Sequence, residues 1–134
     1  MTRTDSFFDT NILVYLIEVD ATKARRSADV IVDGGIVSVQ VLNEFVLVAR
    51  RKMRRPWSDV REMITWLREH CDVVPLTIAV HERGLEYAER YQLGIFDSMI
   101  LAAAVLAGCT TLYSEDMHDG LVIDGLTIKN PYAA

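Results

Sequence analysis

Short apolar runs alternate with helical patterns along the whole of this chain, and that alternation leaves few folds open to it. A strand that faces water on one side alternates apolar and polar residues. A strand that is apolar throughout has to be covered on both faces. Residues 6–9, 36–37, 73–76, 110–114 and 126–129 read as short strands of the covered kind, with Pro75 near the end of the third. Helical patterns fill the spaces between them. One spans 10–18, with Ile12, Leu13, Leu16 and Ile17 as its apolar set, and a second spans 22–33 and is stopped by Gly34-Gly35. Ser38 is placed to cap a third that runs to Met53, where Arg54-Arg55-Pro56-Trp57 breaks it. Ser58 is placed to cap a fourth, to Glu69, and Thr77 a fifth, to Tyr91, which Leu93-Gly94 ends. Residues 97–107 form a sixth, apolar nearly all round and so buried, which Gly108 stops. The expected fold is α/β, with a mostly parallel sheet of four to five short strands covered by helices on both faces. At 134 residues the whole chain, 1–134, is expected to be a single domain around one core.

Composition narrows the surroundings. Hydrophobic residues make up 51% of the chain, enough for a sizeable core, yet no apolar run reaches the roughly 18 residues of a membrane span. Met1-Thr2-Arg3-Thr4-Asp5 leads straight into the first strand without a signal-peptide pattern, so the expected location is cytoplasmic. Cys71 and Cys109 fit neither a CxxC nor a zinc spacing and read as buried thiols, and the three histidines are scattered. A net charge of −5 argues against tight nonspecific binding to nucleic acid over the surface as a whole. The charge is uneven, however. Arg50, Arg51, Lys52, Arg54 and Arg55 hold 5 of the 14 basic residues. This block suits a solvated helix end, where cations are favoured, and equally a local patch for phosphates.

Four acids stand at the edges of apolar segments: Asp9, Glu44, Asp97 and Asp116. Burying an unpaired carboxylate is costly. Taken singly, each has an ordinary explanation. Asp9 is placed to cap the helix from Thr10, Asp97 to cap one from Ser98, and Asp116 lies in a turn-rich stretch. Glu44 lies in a helix that is otherwise nearly all apolar, so it needs a partner: an arginine from elsewhere or a metal. Asp9 and Asp116 fall just beyond the C-terminal ends of their strands, where open α/β sheets bind ligands. Taken together, the four acids point to one crevice holding a hard divalent cation. Oxygen-only donors suit Mg²⁺ or Mn²⁺, whereas zinc would bring histidine or cysteine, and His118 reads as exposed loop. A cation there would reverse the local sign and admit an anionic phosphodiester.

The ordered set Phe8-Asp9-Thr10-Asn11, Ser38-Val39-Gln40-Val41-Leu42-Asn43-Glu44-Phe45, Phe96-Asp97-Ser98-Met99-Ile100 and Ser114-Glu115-Asp116-Met117 resembles the PIN-domain family. More narrowly, it resembles the VapC-type toxins of bacterial toxin–antitoxin pairs. The resemblance implies a PIN-like three-layer α/β/α fold and a Mg²⁺- or Mn²⁺-dependent endoribonuclease. Such an enzyme cuts structured RNA, of the tRNA or rRNA class, with metal-activated water. The resemblance further implies that Asp9 and Asp97 are the principal metal ligands, that Glu44 and Asp116 complete the catalytic pocket, and that Thr10, Asn11 and Ser114 orient those carboxylates. Its implied partners are a second copy of the chain and a VapB-type antitoxin whose C-terminal segment fills the active-site groove. The Arg50–Arg55 block is the candidate RNA contact on an otherwise acidic chain. Asp119 is a candidate fifth acid, although a turn residue before Gly120 accounts for it better.

Two other functions fit parts of the pattern. An aspartyl-phosphate phosphatase would use Asp9 as nucleophile, but it needs a second acid where Asn11 stands and a lysine for which Lys129 is the only late candidate. A module that binds without chemistry would use the same acids for a metal or a peptide. Trp57, Trp66, Val60, Met63, Ile64 and Leu67 read either as core or as a surface for a second chain.

Overall fold

In the computed structural model the described residues are 5–133, so the stretch ahead of Asp5 lies outside them. The strands are β1 (Ser6–Phe8), β2 (Gly35–Ser38), β3 (Cys71–Val74), β4 (Thr111–Tyr113), β5 (Val122–Ile123) and β6 (Leu126–Lys129). They form one sheet in the order β3-β2-β1-β4-β6-β5, parallel except where β5 pairs with β6. The helices are α1 (Thr10–Val14), α2 (Ala21–Val32), α3 (Val39–Arg51), α4 (Trp57–His70), α5 (Ile78–Tyr91) and α6 (Ile95–Leu106), with a 3₁₀ turn, Tyr15–Ile17, after α1. The architecture is a three-layer α/β/α sandwich.

Burial follows sheet position. Every residue of the central strands β1 and β2 is buried, as a parallel sheet covered on both faces requires. Phe7, Phe8, Ile36, Val37 and Leu112 pack against Ile12, Leu13, Val41, Phe45 and the inner helix α6. From Ser98 to Ala104 every residue of α6 is buried, which agrees with its apolar pattern. Cys71 and Cys109 are buried thiols, outside any disulfide, and burial pushes them up to about 12 and about 11.

Several boundaries differ from the sequence expectation, each for a local reason. The first strand stops at Phe8 because Asp9 turns out of it and caps α1, accepting a bond from the Thr10 amide at 2.7 Å. Strand β3 starts at Cys71 rather than residue 73. Its register runs from Gly35↔Cys71 to Ser38↔Val74, which leaves Pro75, with no amide to donate, beyond the sheet. Helix α4 begins at Trp57 with Pro56 as N-cap, so Ser58 does not cap it. Gln92, at φ 56°, ends α5 in the left-handed conformation ahead of Leu93-Gly94. Ser38 and Thr77 do cap as expected, each accepting from the amide three residues on at 3.2 Å. The sheet has a sixth strand, one more than expected. Asp124 and Gly125 both have positive φ, the two-residue turn that joins β5 to β6. That Asp-Gly pair between Ile123 and Leu126 is a hairpin signal readable in the sequence.

Among the described residues no helix is long and apolar enough to cross a membrane. Val60 and Leu67 belong to the core, whereas Trp57 and Trp66 remain partly exposed. The six side chains read as one patch are therefore divided between interior and surface.

Gly35 is required by a close approach. A Cβ there would meet the Phe8 ring at 2.6 Å and the Ser6 carbonyl at 2.9 Å, while one at Gly94 would meet nothing within 4 Å. Gly35→Ala is expected to lower stability by about 1–3 kcal/mol, an overpacking cost, and Gly94→Ala by less than about 1 kcal/mol. Urea denaturation of both variants beside the wild type measures the difference.

Candidate active site

The sheet has a switch point at β1. From this strand the chain goes to β2 on one side, and β4 flanks it on the other. A crevice opens where neighbouring connections leave in opposite directions, at the C-terminal ends of the strands. Asp9 follows β1 and Ser114 follows β4, so both stand at that crevice. The Asp9 amide donates to the Tyr113 carbonyl at 3.0 Å, and the Ser114 hydroxyl donates to the Asp9 carboxylate at 2.7 Å. Together these bonds stitch the two strand ends.

The other acids come from different elements. Helix α3 packs on α1 and brings Glu44 to the Thr10 hydroxyl, which donates to it at 3.3 Å. The Gln40 amide, one turn earlier on α3, donates to Glu44 at 2.9 Å. No arginine is needed, so that expectation for Glu44 gives way to two uncharged donors. Asp97 lies in the first turn of α6 and not at its cap, because the helix starts at Ile95 with Gly94 as N-cap. Among the described residues its carboxylate is acted on by burial and by the Asp116 and Glu44 charges, with no hydrogen-bond donor. The Asn11 amide bridges Asp116 at 3.0 Å and Asp9 at 3.4 Å.

All four acids line one cleft of about 330 Å³, together with Thr10, Asn11, Val14, Tyr15, Glu18, Val48, Lys52 and Glu115. Their charges act on one another. Burial pushes the Asp9 carboxyl up to about 6, and the Asp97 and Asp116 charges add to that rise, while the Ser114 and Thr10 donors oppose it. Asp97 is raised as well, by burial first and then by the Asp116 and Glu44 charges. Among the described residues, no three His, Cys, Asp or Glu side chains are already drawn together as a chelating set. The donor chemistry nevertheless fits a hard cation. Among the described residues Asp9, Glu44 and Asp116 are held by hydroxyl and amide groups, which orient a carboxylate without forming an ion pair to it. Mg²⁺ needs no more than one or two carboxylates when waters and substrate phosphates complete its shell.

Glu115 is the contrasting acid. Burial works to raise its carboxyl, but the hydrogen bonds from Lys23 and Tyr15 outweigh burial and hold it below the usual range. Lys23 makes a salt bridge to Glu115 and lies 4.6 Å from the centre of the Tyr15 ring, and the Tyr15 hydroxyl donates to the same carboxylate. A neighbouring cation has already neutralised Glu115. Of two adjacent acids, Asp116 is bound by the neutral Asn11 amide and Glu115 by Lys23 and Tyr15.

The basic block divides. Arg50 donates to the Arg55 carbonyl at 2.9 Å and lies 4.4 Å over the Trp57 ring, and Arg55 stands 3.8 Å from Asp59. Those two side chains hold the turn after α3. Arg51, Lys52 and Arg54 are exposed, and Lys52 lines the acidic cleft, 4.0 Å from Glu18. Asp119 accepts from the Asn130 amide at 2.8 Å, which is the turn role, and His118 is exposed. Gln40, Tyr15, Lys23 and Glu115 were not among the expected site residues. Gln40 carried a signal, since it lies four positions before Glu44 on one helix. Lys23 and Tyr15 meet Glu115 across 92 and 100 residues, and no local pattern announces such a contact.

The PIN domain profile matches residues 6–118. No curated protein sequence matches. Solved structures do. A toxin–antitoxin complex from Klebsiella pneumoniae superposes with a TM-score of 0.74 at 21% identity, over 96% of this chain and 99% of that one. VapC20 from Mycobacterium tuberculosis, a sarcin–ricin loop cleaving toxin, gives 0.69 at 17% identity, over 83% and 89%. DNA-bound VapBC from Salmonella typhimurium gives 0.71 at 16% identity, over 96% and 99%. At these identities the likeness is one of fold.

The raised Asp9 carboxyl makes a stability prediction. A folded-state pKa of about 6 against an unfolded value of 3.8 means that ionising Asp9 costs the folded protein. The penalty is absent below about pH 4, grows through about pH 4–6 and is complete above. With divalent ions chelated, Asp9→Asn is expected to be more stable than wild type at about pH 7.5, by on the order of 3 kcal/mol, with the gap closing at about pH 4. Melting curves in EDTA across that pH range measure it.

Proposed function

Because the chain belongs to the PIN domain family, we propose that it is a Mg²⁺- or Mn²⁺-dependent endoribonuclease of the VapC toxin kind. Its substrate is structured RNA of the tRNA or rRNA class, it works in the cytoplasm, and a VapB-type antitoxin restrains it. The observation that carries this reading is the cleft at the β1–β4 switch point, lined by four carboxylates from four parts of the chain, none of which is in an ion pair with a cation among the described residues. Asp9 and Asp97 would hold the metal, and Glu44 and Asp116 complete the pocket. A hard divalent cation supplies Lewis acidity there and offsets the charge that develops on a phosphodiester.

The chain's own groups do the rest. Ser114 and the Thr10 amide fix the Asp9 carboxylate, Asn11 holds Asp9 and Asp116 at a set spacing, and the Thr10 hydroxyl orients Glu44. A carboxylate of the pocket accepts the proton of the attacking water. Water attacks phosphorus in line, the 3′-oxygen leaves, and the cut RNA carries a 5′-phosphate. Arg51, Lys52 and Arg54 offer charge to the RNA backbone at the rim, where Lys52 reaches the cleft itself. The phosphatase alternative loses support. Asn11 spends its amide on Asp9 and Asp116, and Lys129 does not line the cleft.

A second copy of the chain and the antitoxin are the proposed partners. Two apolar surfaces are open to them. One is a groove of about 250 Å³ among Leu16, Ile17, Phe45, Met63, Trp66 and Leu67. The other is the patch of Leu76, Ile78, Ile95 and Phe96 beside the acidic cleft, where Phe96 is 67% exposed.

Purified protein incubated with total RNA and Mn²⁺ is expected to cleave it. Asp97→Ala should lower the rate by roughly 10³-fold or more while the protein stays folded, which is the scale of losing a group that stabilises transition-state charge. Full activity in Asp97→Ala, or in excess EDTA, would overturn the reading. The basic rim gives a separate expectation. Arg51→Ala with Arg54→Ala weakens RNA binding and lowers the salt dependence by about 0.7 in log–log slope for each phosphate that the variant no longer touches. Binding isotherms at several salt concentrations read this.

A further inference from the structure

Gln40 stands in the first turn of α3 with its side chain turned inward, 8% exposed. Its amide nitrogen has two protons, and both are used. One bond goes to the Glu44 carboxylate at 2.9 Å, and the other goes to the main-chain carbonyl of Phe96 at 2.8 Å. Phe96 is the residue before Asp97, in the first turn of α6. A single neutral group therefore ties the helix that presents Glu44 to the helix that presents Asp97. The orientation of the amide is forced. Turned over, its oxygen would face a carboxylate and a carbonyl, two acceptors with no proton between them.

The choice of residue has a physical logic. A lysine or arginine at this position would also reach Glu44, but it would cancel the charge, as Lys23 does to Glu115 a short way along the same cleft. A glutamate would be repelled by both acceptors. An apolar side chain would leave Glu44 with the Thr10 hydroxyl alone and would release the start of α6. Glutamine fixes both elements and adds no charge.

We propose that Gln40 is a positioning residue for the cation site, an uncharged tie that sets Glu44 and the Asp97-bearing turn in one arrangement while leaving the Glu44 charge uncompensated. This rests on the nuclease reading above and adds to it a determinant of metal affinity that lies outside the acids themselves.

The test is a Mn²⁺ titration of metal-free protein without RNA, followed by calorimetry or by the electron paramagnetic resonance signal of free Mn²⁺. Wild type, Gln40→Met, Gln40→Lys and Asp97→Asn are compared, each first shown to be folded by a cooperative melt. Gln40→Met nearly preserves shape and removes both donors, and its expected affinity is about 10-fold or more below wild type, as for other residues that orient metal ligands. Gln40→Lys keeps a donor to Glu44 and adds a charge. It is expected to melt no lower than wild type and yet bind Mn²⁺ more weakly. Wild-type affinity in folded Gln40→Met would overturn the proposal, and wild-type affinity in Gln40→Lys would overturn its charge argument. If Gln40→Met does not fold, the Gln40→Lys titration decides. A wild-type protein that binds no Mn²⁺ would bring down the nuclease reading itself, a result distinct from either of these.

Discussion

Asp9 is a carboxylate kept almost entirely out of water, 4% exposed, and among the described residues its hydrogen-bond donors are all uncharged. The arrangement around it follows from that constraint. A buried carboxylate has to be given donors, and here they are the Ser114 hydroxyl, the Thr10 amide and the Asn11 side chain. The first bond ties the ends of β1 and β4. The second caps α1. The third reaches across to Asp116. Burial and the neighbouring acids still outweigh these bonds and hold the carboxyl high. The protein thus carries an electrostatic penalty at the switch point of its sheet whenever Asp9 is ionised.

The pairing pattern around the cleft is consistent with this. Asp9, Glu44 and Asp116 receive hydrogen bonds from hydroxyls and amides, which orient an anion without discharging it. Glu115 receives them from Lys23 and Tyr15, and its negative charge is spent inside the protein. Adjacent residues in one loop are therefore sorted by their partners into a charge that faces the cleft and a charge that fastens the loop. The fastening extends further. Lys23 also lies 5.5 Å from the Tyr132 ring centre, and the Tyr132 hydroxyl meets Ser27, so the loop after β4, helix α2 and the C-terminal segment share one cluster. Ion pairs near the surface add little stability singly. Their effect here is on which acid remains available.

Much of the fold was legible in the order of the residues. Fully apolar strands between helical patterns imply a covered parallel sheet, Ser38 and Thr77 cap the helices that their positions suggest, and the apolar circumference of 97–107 is a buried helix. The differences lie where pairing or backbone geometry overrides local preference. Pro75 falls outside β3 because register with β2 ends at Val74. Ser58 is passed over because α4 already starts at Trp57. Gln92 takes a left-handed conformation ahead of a glycine that would adopt it more readily. The basic block showed its charge but not its division, since the bond from Arg50 to the Arg55 carbonyl and the stacking on Trp57 depend on how the chain turns after α3.

By itself the sequence determined the layer architecture, through the period of its apolar residues, and it singled out four acids, beside or within apolar segments, that the fold brings to the lining of one cleft. Those are local properties, written within a few residues of each other. Only the tertiary structure decided which neutral groups hold Asp9, Glu44 and Asp116, that Lys23 pairs with Glu115, and that Gln40 joins the Glu44 and Asp97 helices. Such contacts join residues as far apart in the chain as Asn11 and Asp116. They exist only because parallel strands, whose connections must cross over the sheet, gather distant segments at one edge.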